Sequence, residues 1–315
     1  MMSMQKVEMT AAEEGQRLDR YLRKLLPETP LSGIFKMLRR GIIRVDGKKA
    51  KEDLRIIAGM QVTLPPSAMP RTAKLTTENR HSQATTRQLP SPSLLPGIVY
   101  KDEDLLIIDK PAGLPAQPGT GHEHHVLSWL DAQPFGIRTA TYRPAPVHRL
   151  DRGTSGLLVI GLSPQASRNL ADSFRQDKVR KSYVAVVEGL PKSRKGQIKV
   201  PLLVRETARA HQPKVLCDQR GKEARTDFEI LKSGQQRALL GLQLHTGRMH
   251  QIRAHLGHIH HPIVGDTRYG ARGDRSSGVF FLHASELALP HPISGDSMTF
   301  ESPVPARFHA ALNLR

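Results

Sequence analysis

The sequence predicts an α+β protein of two folded units, 1–65 and 96–315, joined by an extended connector over 66–95. Three observations carry this expectation. In both units, segments with apolar residues at helical spacing stand beside segments that alternate apolar and polar residues. Between them apolar periodicity vanishes in a stretch rich in Ser, Thr, Gln and Pro, which opens at Pro65-Pro66 and closes at Pro90-Ser91-Pro92-Ser93. At 315 residues the chain has room for two cores.

Charge narrows the classes of function. The chain carries 47 Lys and Arg against 29 Asp and Glu, a formal net charge of +18, which favours a polyanionic partner. No basic amphipathic segment with a clean apolar face points to a membrane surface. Aromatic residues make up 4% of the chain, too few for broad base-stacking platforms. The single Cys217 excludes intramolecular disulfides and fits a reducing cytoplasm. Met1 to Gln16 holds no apolar signal core and no later run approaches a membrane span, so a cytoplasmic protein without a membrane partner is expected.

In the first unit, Leu18, Tyr21, Leu22, Leu25 and Leu26 have the spacing of an amphipathic helix that Pro27 and Pro30 end. A second helix is expected over Leu31 to Arg40, capped by Ser32 and stopped by Gly41. Ile42 to Lys48 reads as a strand entering an Asp46-Gly47 turn, and Gln61 to Leu64 as a last strand. Twelve basic against five acidic residues lie between Gly15 and Leu64. Lys36, Arg39 and Arg40 also suit the C-terminal dipole of the second helix. This order of two helices, Arg-Arg-Gly, strand, Asp-Gly-Lys and strand resembles an S4 RNA-binding domain, and the resemblance makes Lys36, Arg39 and Arg40 RNA-binding residues.

In the large unit, Gly97 to Asp109 reads as two short strands around an acidic turn, broken by Lys110-Pro111-Ala112-Gly113. Leu127 to Ala132 is expected as a helix with Trp129 inward. Gly156 to Leu162 reads as a buried strand, Pro164 to about Gln176 as a helix, and Val179 to Gly189 as an alternating strand. Two further strands are expected over Lys222 to Ile230 and Arg237 to Leu244. Thr246-Gly247 and Gly257 then look like the start and stop of a helix, with Arg248, Gln251 and His255 along one side and Arg253 turned away from Arg248.

Just before the buried strand stands Asp151, between Arg149 and Arg152 and beside a Gly-Thr-Ser-Gly turn. Guanidinium groups keep a nearby carboxylate charged, and a charged, restrained Asp is a nucleophile or a base. On those residues alone a surface ion pair beside a turn is the better explanation of the arrangement. His148-Arg149-Leu150-Asp151-x-x-Thr154-Ser155-Gly156-Leu157, however, resembles the signature of the RluA family of RNA pseudouridine synthases. So do Lys181-x-Tyr183-x-Ala185, Thr246-Gly247-Arg248-x-His250-Gln251-x-Arg253-x-His255, His261-Pro262-Ile263-Val264-Gly265-Asp266 and Phe281-Leu282-His283-Ala284, in that order. Gln117-Pro118-Gly119 departs from the family's His-Pro-Gly in a loop.

The resemblance implies a mixed, mainly antiparallel sheet with Asp151 in a central basic cleft. It makes Asp151 the catalytic carboxylate, Arg253 its partner, Tyr183 the residue that stacks on the uracil, and Arg149 the residue inserted beside the flipped nucleotide. Arg152, Arg248, Arg175, Lys178 and Arg180 are expected to contact RNA, mostly at phosphates. With the S4-like head in front, the resemblance narrows to synthases of bacterial large-subunit ribosomal RNA, RluC-like or RluD-like. No cofactor is implied, and nothing in the chain demands more than a monomer. His122, His124 and His125, and His258, His260 and His261, form two clusters, but no Cys lies near either and no metal site is assigned. Three rival readings are a transfer-RNA synthase of the same family, a non-catalytic ribosome-assembly factor, and a glycoside hydrolase. The last normally uses two carboxylates, and one is visible here.

Overall fold

The computed structural model of the chain describes residues 4–65, 94–119, 124–139, 141–205, 214–272 and 279–313. The expected connector lies outside the described residues up to residue 93. The chain divides into two compact units, the first holding the N-terminal residues together with 135–144 and 162–165, the second holding the rest from residue 89.

The first unit contains β1 (Gln5–Glu8), α1 (Leu18–Leu25), α2 (Leu31–Arg40), β2 (Arg44–Val45) and β3 (Gln61–Leu64), with the sheet order β1-β3-β2. The periodic residues of α1 (Leu18, Tyr21, Leu22 and Leu25) are all buried against Ile34 and Leu38 of α2. Strand β1 was not legible, because Gln5-Lys6-Val7-Glu8 has one apolar residue and is held by its register against β3. Ser32 is not the cap of α2: Pro30 holds that position without a side-chain bond, and Ser32 lies exposed inside the helix. Ile42 to Lys48 forms a shorter strand than expected, since only Arg44 and Val45 pair with β3. Asp46 and Gly47 both have positive φ and make the tight turn, Val45 and Lys48 exchanging backbone bonds across it. Lys36, Arg39 and Arg40 are exposed at spacings of three and four on α2, a cationic stripe.

The second unit contains β4 (Gly97–Lys101), β5 (Leu105–Lys110), α3 (Val126–Asp131), β6 (Ala145–Pro146), β7 (Ser155–Gly161), α4 (Pro164–Arg175), β8 (Arg180–Glu188), β9 (Lys195–Ile198), β10 (Leu202–Arg205), β11 (Lys214–Cys217), β12 (Thr226–Ser233), β13 (Arg237–Leu244), α5 (Gln251–His258), β14 (Leu282–Pro290), β15 (Ser297–Glu301) and α6 (Ala306–Asn313). Its main sheet runs β4-β5-β7-β14-β8-β13-β12-β9, with β15 beside β14 and β6 beside β7. Among the described strands every pairing is antiparallel except that of β7 with β14. The protein is thus mixed α+β with a mostly antiparallel sheet.

All seven residues of β7 are buried, as expected for a strand covered on both faces. Leu157 and Val159 pack toward Leu170 of α4, while Val184, Val186 and Leu239 on the other side of the sheet meet Phe308 and Leu312 of α6. Each such side chain contributes roughly 2 kcal/mol of burial, so β7 is a rigid stem for the loop before it. Gly156 has φ +107° and lies so close to β14 that a Cβ would run into the Ala284 backbone. Only glycine permits that approach, which brings β14, and β8 behind it, next to the Asp151 loop.

Candidate active site

Asp151 precedes β7 in a turn closed by the Thr154 amide on its own carbonyl. The chain leading in is pinned to β7 twice: the Val147 amide donates to the Val159 carbonyl, and His148 Nε2 accepts from the Val159 amide at 3.0 Å. The chain leading out is fixed by Ser155, whose hydroxyl lies 2.9 Å from His283 Nδ1. Beneath the turn lies Lys110, fully buried, donating to the carbonyls of Pro111, Leu114 and Arg152 at 2.9, 2.8 and 3.3 Å. Burial pushes this amine down to about 7 against the pull of Asp151 and Asp109. The Lys-Pro-x-Gly stretch, which reads in the sequence as a strand breaker, is therefore a floor under Asp151.

Arg253 of α5 joins this loop. Its Nη1 donates to Asp151 Oδ2 at 2.8 Å, while Nε and Nη2 form a two-pronged bond with Asp266 at 2.7 and 2.9 Å. Phe280 and Tyr269 flank the guanidinium, 4.4 and 5.0 Å from its carbon. Burial works against this charge, but the carboxylates of Asp266 and Asp151 overcome it and its pKa is raised. The Asp151 side chain remains 17% exposed, so one face is open to a substrate. The other oxygen, Oδ1, faces His250 Nε2 at 3.7 Å. His250 has a left-handed backbone (φ 51°) and its Nδ1 is 2.8 Å from the Tyr269 hydroxyl. Burial lowers its pKa although Asp151 opposes that, and the imidazole is neutral at neutral pH.

Tyr183 lies on β8 opposite Ala284, whose neighbour across β14 is Gly156. Its phenol is raised by burial and then by the charge of Asp151, so it is protonated at neutral pH. Arg149 is exposed on the Asp151 loop, and Arg248 is exposed with Nε on the Glu223 carbonyl. Lys178 is exposed, whereas Arg175 is paired with Asp172 and Arg180 with Glu286. The Arg152 carbonyl serves the turn, accepting from Gly113.

The expected helix from Thr246 is corrected by the structure. Residues 246–250 form a turn and α5 starts at Gln251, so Arg248 is not on the helix; nor does Gly257 end it, since α5 continues to His258. Gln251 causes the change. Its Oε1 accepts from the Thr246 hydroxyl and the Arg248 amide, and its Nε2 donates to the Arg225 carbonyl and Thr226 Oγ1. Thr226 in turn meets His255 Nδ1, and His255 Nε2 reaches the Val200 carbonyl. Gln251 and His255 thus form a saturated buried network that anchors α5 rather than a face offered to RNA. Asp266, His250, Tyr269 and Lys110 are the site neighbours that sequence reasoning left without a role; the only hint was that Asp266, His250 and Lys110 lie inside quoted stretches.

Among the described residues no group of three or more His, Cys, Asp or Glu is placed to hold a metal ion. His122 lies outside the described residues, and His125 caps α3 by accepting from the Ser128 amide. The structure instead keeps His148, His250, His255 and His283 neutral, each lowered first by burial, His148 to about 3. A histidine whose folded pKa lies below its unfolded value of about 6.5 stays neutral in the fold while the unfolded chain takes up a proton. Stability is therefore lost as pH falls below about 6.5, by up to about 1.4 kcal/mol per pH unit for each histidine. Urea unfolding from pH 6.5 to 5, above the range where carboxylates titrate, should show this fall; a flat profile would contradict it.

Among the described residues no helix is long and apolar enough to cross a membrane. Residues 104–258 match the family model described as RNA pseudouridylate synthase. Two curated proteins named ribosomal large subunit pseudouridine synthase C are similar to the chain. The one from Escherichia coli is 33% identical over 95% of this chain and 92% of its own length. That from Buchnera aphidicola is 34% identical over 95% and 93%. Among solved structures, human RNA pseudouridylate synthase domain containing 4 matches with a TM-score of 0.54 and 24% identity, covering 69% of this chain and 91% of that one, a likeness of fold. The signature loop, the strand that carries Tyr183 and the whole of α5 fall inside the matched region, and the chain belongs to the RNA pseudouridylate synthase family.

Proposed function

We propose that the chain converts uridines of large-subunit ribosomal RNA into pseudouridine, with Asp151 as the reacting carboxylate. The observation that carries the reading is the 2.8 Å ion pair between Asp151 and Arg253, with an open carboxylate face beside Tyr183. The ribosomal substrate rests on the names of the relatives.

The reaction breaks the N1–C1′ bond of uridine and forms a C5–C1′ bond. The C5 proton is lost and N1 gains one, so atoms balance without redox change, hydrolysis or group donor. A stacked base cannot reach Asp151 until its nucleotide leaves the helix, at a cost of a few kcal/mol. Arg149, exposed beside Asp151, fills the vacated stack. Arg253 holds Oδ2, leaving Oδ1 to attack C1′ or to take a neighbouring sugar proton. Tyr183 offers its ring to the uracil; being protonated, it serves first as a stacking surface and hydrogen-bond partner. Arg152, Arg248 and Lys178 hold phosphates, and Lys36, Arg39 and Arg40 of the first unit extend the contact on an S4-like surface.

Loss of the C5 proton gives a direct assay. Purified protein mixed with large-subunit ribosomal RNA whose uridines carry tritium at C5 should release tritium to water, and the same assay with transfer RNA should release none. Release from transfer RNA alone would move the substrate assignment, and release from neither would overturn the enzymatic reading.

A further inference from the structure

Among the described residues, one buried cation on the strand of Tyr183 has neither a hydrogen bond nor an ion pair, and its ammonium lies over an aromatic ring. Lys181 lies two residues before Tyr183 on β8, so both side chains project from one face of the sheet. It is only 8% exposed. Among the described residues its ammonium has no hydrogen bond and no ion pair; the acidic residue it feels is Asp177, exposed and beyond salt-bridge distance. Its Nζ stands 5.8 Å from the Phe174 ring and 3.9 Å from the Cβ position of Gly247. Phe174 is stacked on His148 at 4.6 Å. The ammonium therefore lies between Phe174, which backs His148 of the Asp151 loop, and the Thr246-Gly247-Arg248 turn.

Burying a charge without a counterion is costly, and proteins retain such a charge where something else compensates it. No described carboxylate does so: Asp177, the acid that acts on this ammonium, is exposed and forms no ion pair with it, and Asp151 and Asp266 are both bonded to Arg253. Gly247 has no side chain to block the approach from solvent. From this geometry we infer that Lys181 is the binding site for one backbone phosphate next to the flipped nucleotide. The inference rests on the pseudouridine-synthase reading and deepens it. Two residues along a strand is about 7 Å, so a base on Tyr183 would leave a flanking phosphate within reach of Lys181. Exposed phosphate contacts such as Lys178 bind any RNA, whereas this enclosed one forms only when a nucleotide has entered the site. It therefore rewards flipping rather than docking.

The experiment uses synthetic stem–loops of large-subunit ribosomal RNA containing a uridine that the wild-type protein converts. Neutral methylphosphonates replace, one at a time, the linkages around that uridine. Wild type should lose roughly tenfold in affinity at one flanking linkage, the effect of one charge-assisted bond. Lys181→Met should bind the unmodified RNA about tenfold more weakly, be insensitive to that linkage, and keep its sensitivity at the others. Lys181→Arg, which retains the charge, should restore the linkage effect. Lys181→Met should also melt no lower than wild type, because it removes an uncompensated charge; a residue needed only for folding would lower it. A Lys181→Met protein that binds like wild type, or is as sensitive as wild type at every linkage, overturns the phosphate site while leaving the enzymatic reading intact. A wild type that converts no uridine in any stem–loop overturns both.

Discussion

Replacing Asp151 with Asn should lower the single-turnover rate of pseudouridine formation by about four orders of magnitude or more, the scale set when a reacting group is removed from a site that acts as a unit. The variant should still fold and bind RNA. In the native site one guanidinium is shared by two carboxylates, so the cluster carries one negative charge in excess. The substituted amide would keep the shape and leave Arg253 paired with Asp266 in a neutral, two-pronged bond. Thermal unfolding should therefore move little, or rise slightly, and RNA affinity should stay within about threefold, since phosphate contacts dominate it. Activity within tenfold of wild type would remove Asp151 from the chemistry.

Replacing Asp266 with Ala should do the reverse and damage both stability and catalysis. The Asp266 side chain is 1% exposed, and Arg253 spends two of its donors on it. Without it, Nε and Nη2 are left buried and unpaired, a loss of about 3–5 kcal/mol. Arg253 can recover part of this only by turning toward Asp151, which pulls the reacting carboxylate out of line and should cost about a hundredfold in rate. The double change Arg253→Met with Asp266→Leu separates the two effects. Replacing the pair by apolar groups should restore much of the stability while activity stays lost. An Asp266→Ala protein that unfolds in urea at the wild-type midpoint would show that the pairing contributes nothing.

These two residues mark the boundary of what was legible in the sequence. Asp151 and Arg253 stand in dense local patterns, and the buried run after Asp151 reads directly as the strand that holds it. Asp266 is a lone acid after a glycine; its partner lies 13 residues away across a helix end and a loop, a meeting that no spacing rule encodes. Lys110 was hidden for a similar reason. Its burial depends on three carbonyls, one of which, that of Arg152, lies 42 residues farther along the chain. The misplaced start of α5 has a different cause. Thr246, Arg248 and Gln251 fit a helical face by spacing, yet the Gln251 amide folds the preceding turn back onto itself, a side-chain preference that overrides periodicity. The mixed sheet followed from the family resemblance; alternation alone identified strands without ordering them.

Asp151 of this chain is proposed to make pseudouridine in large-subunit ribosomal RNA. The most direct test of this role is a transcriptome-wide pseudouridine map of a strain lacking the protein, repeated with wild type and with Asp151→Ala restored. Specific large-subunit sites should vanish in that strain, return with wild type, and stay absent with Asp151→Ala. Sites that return with Asp151→Ala, or a map unchanged by loss of the protein, would contradict it.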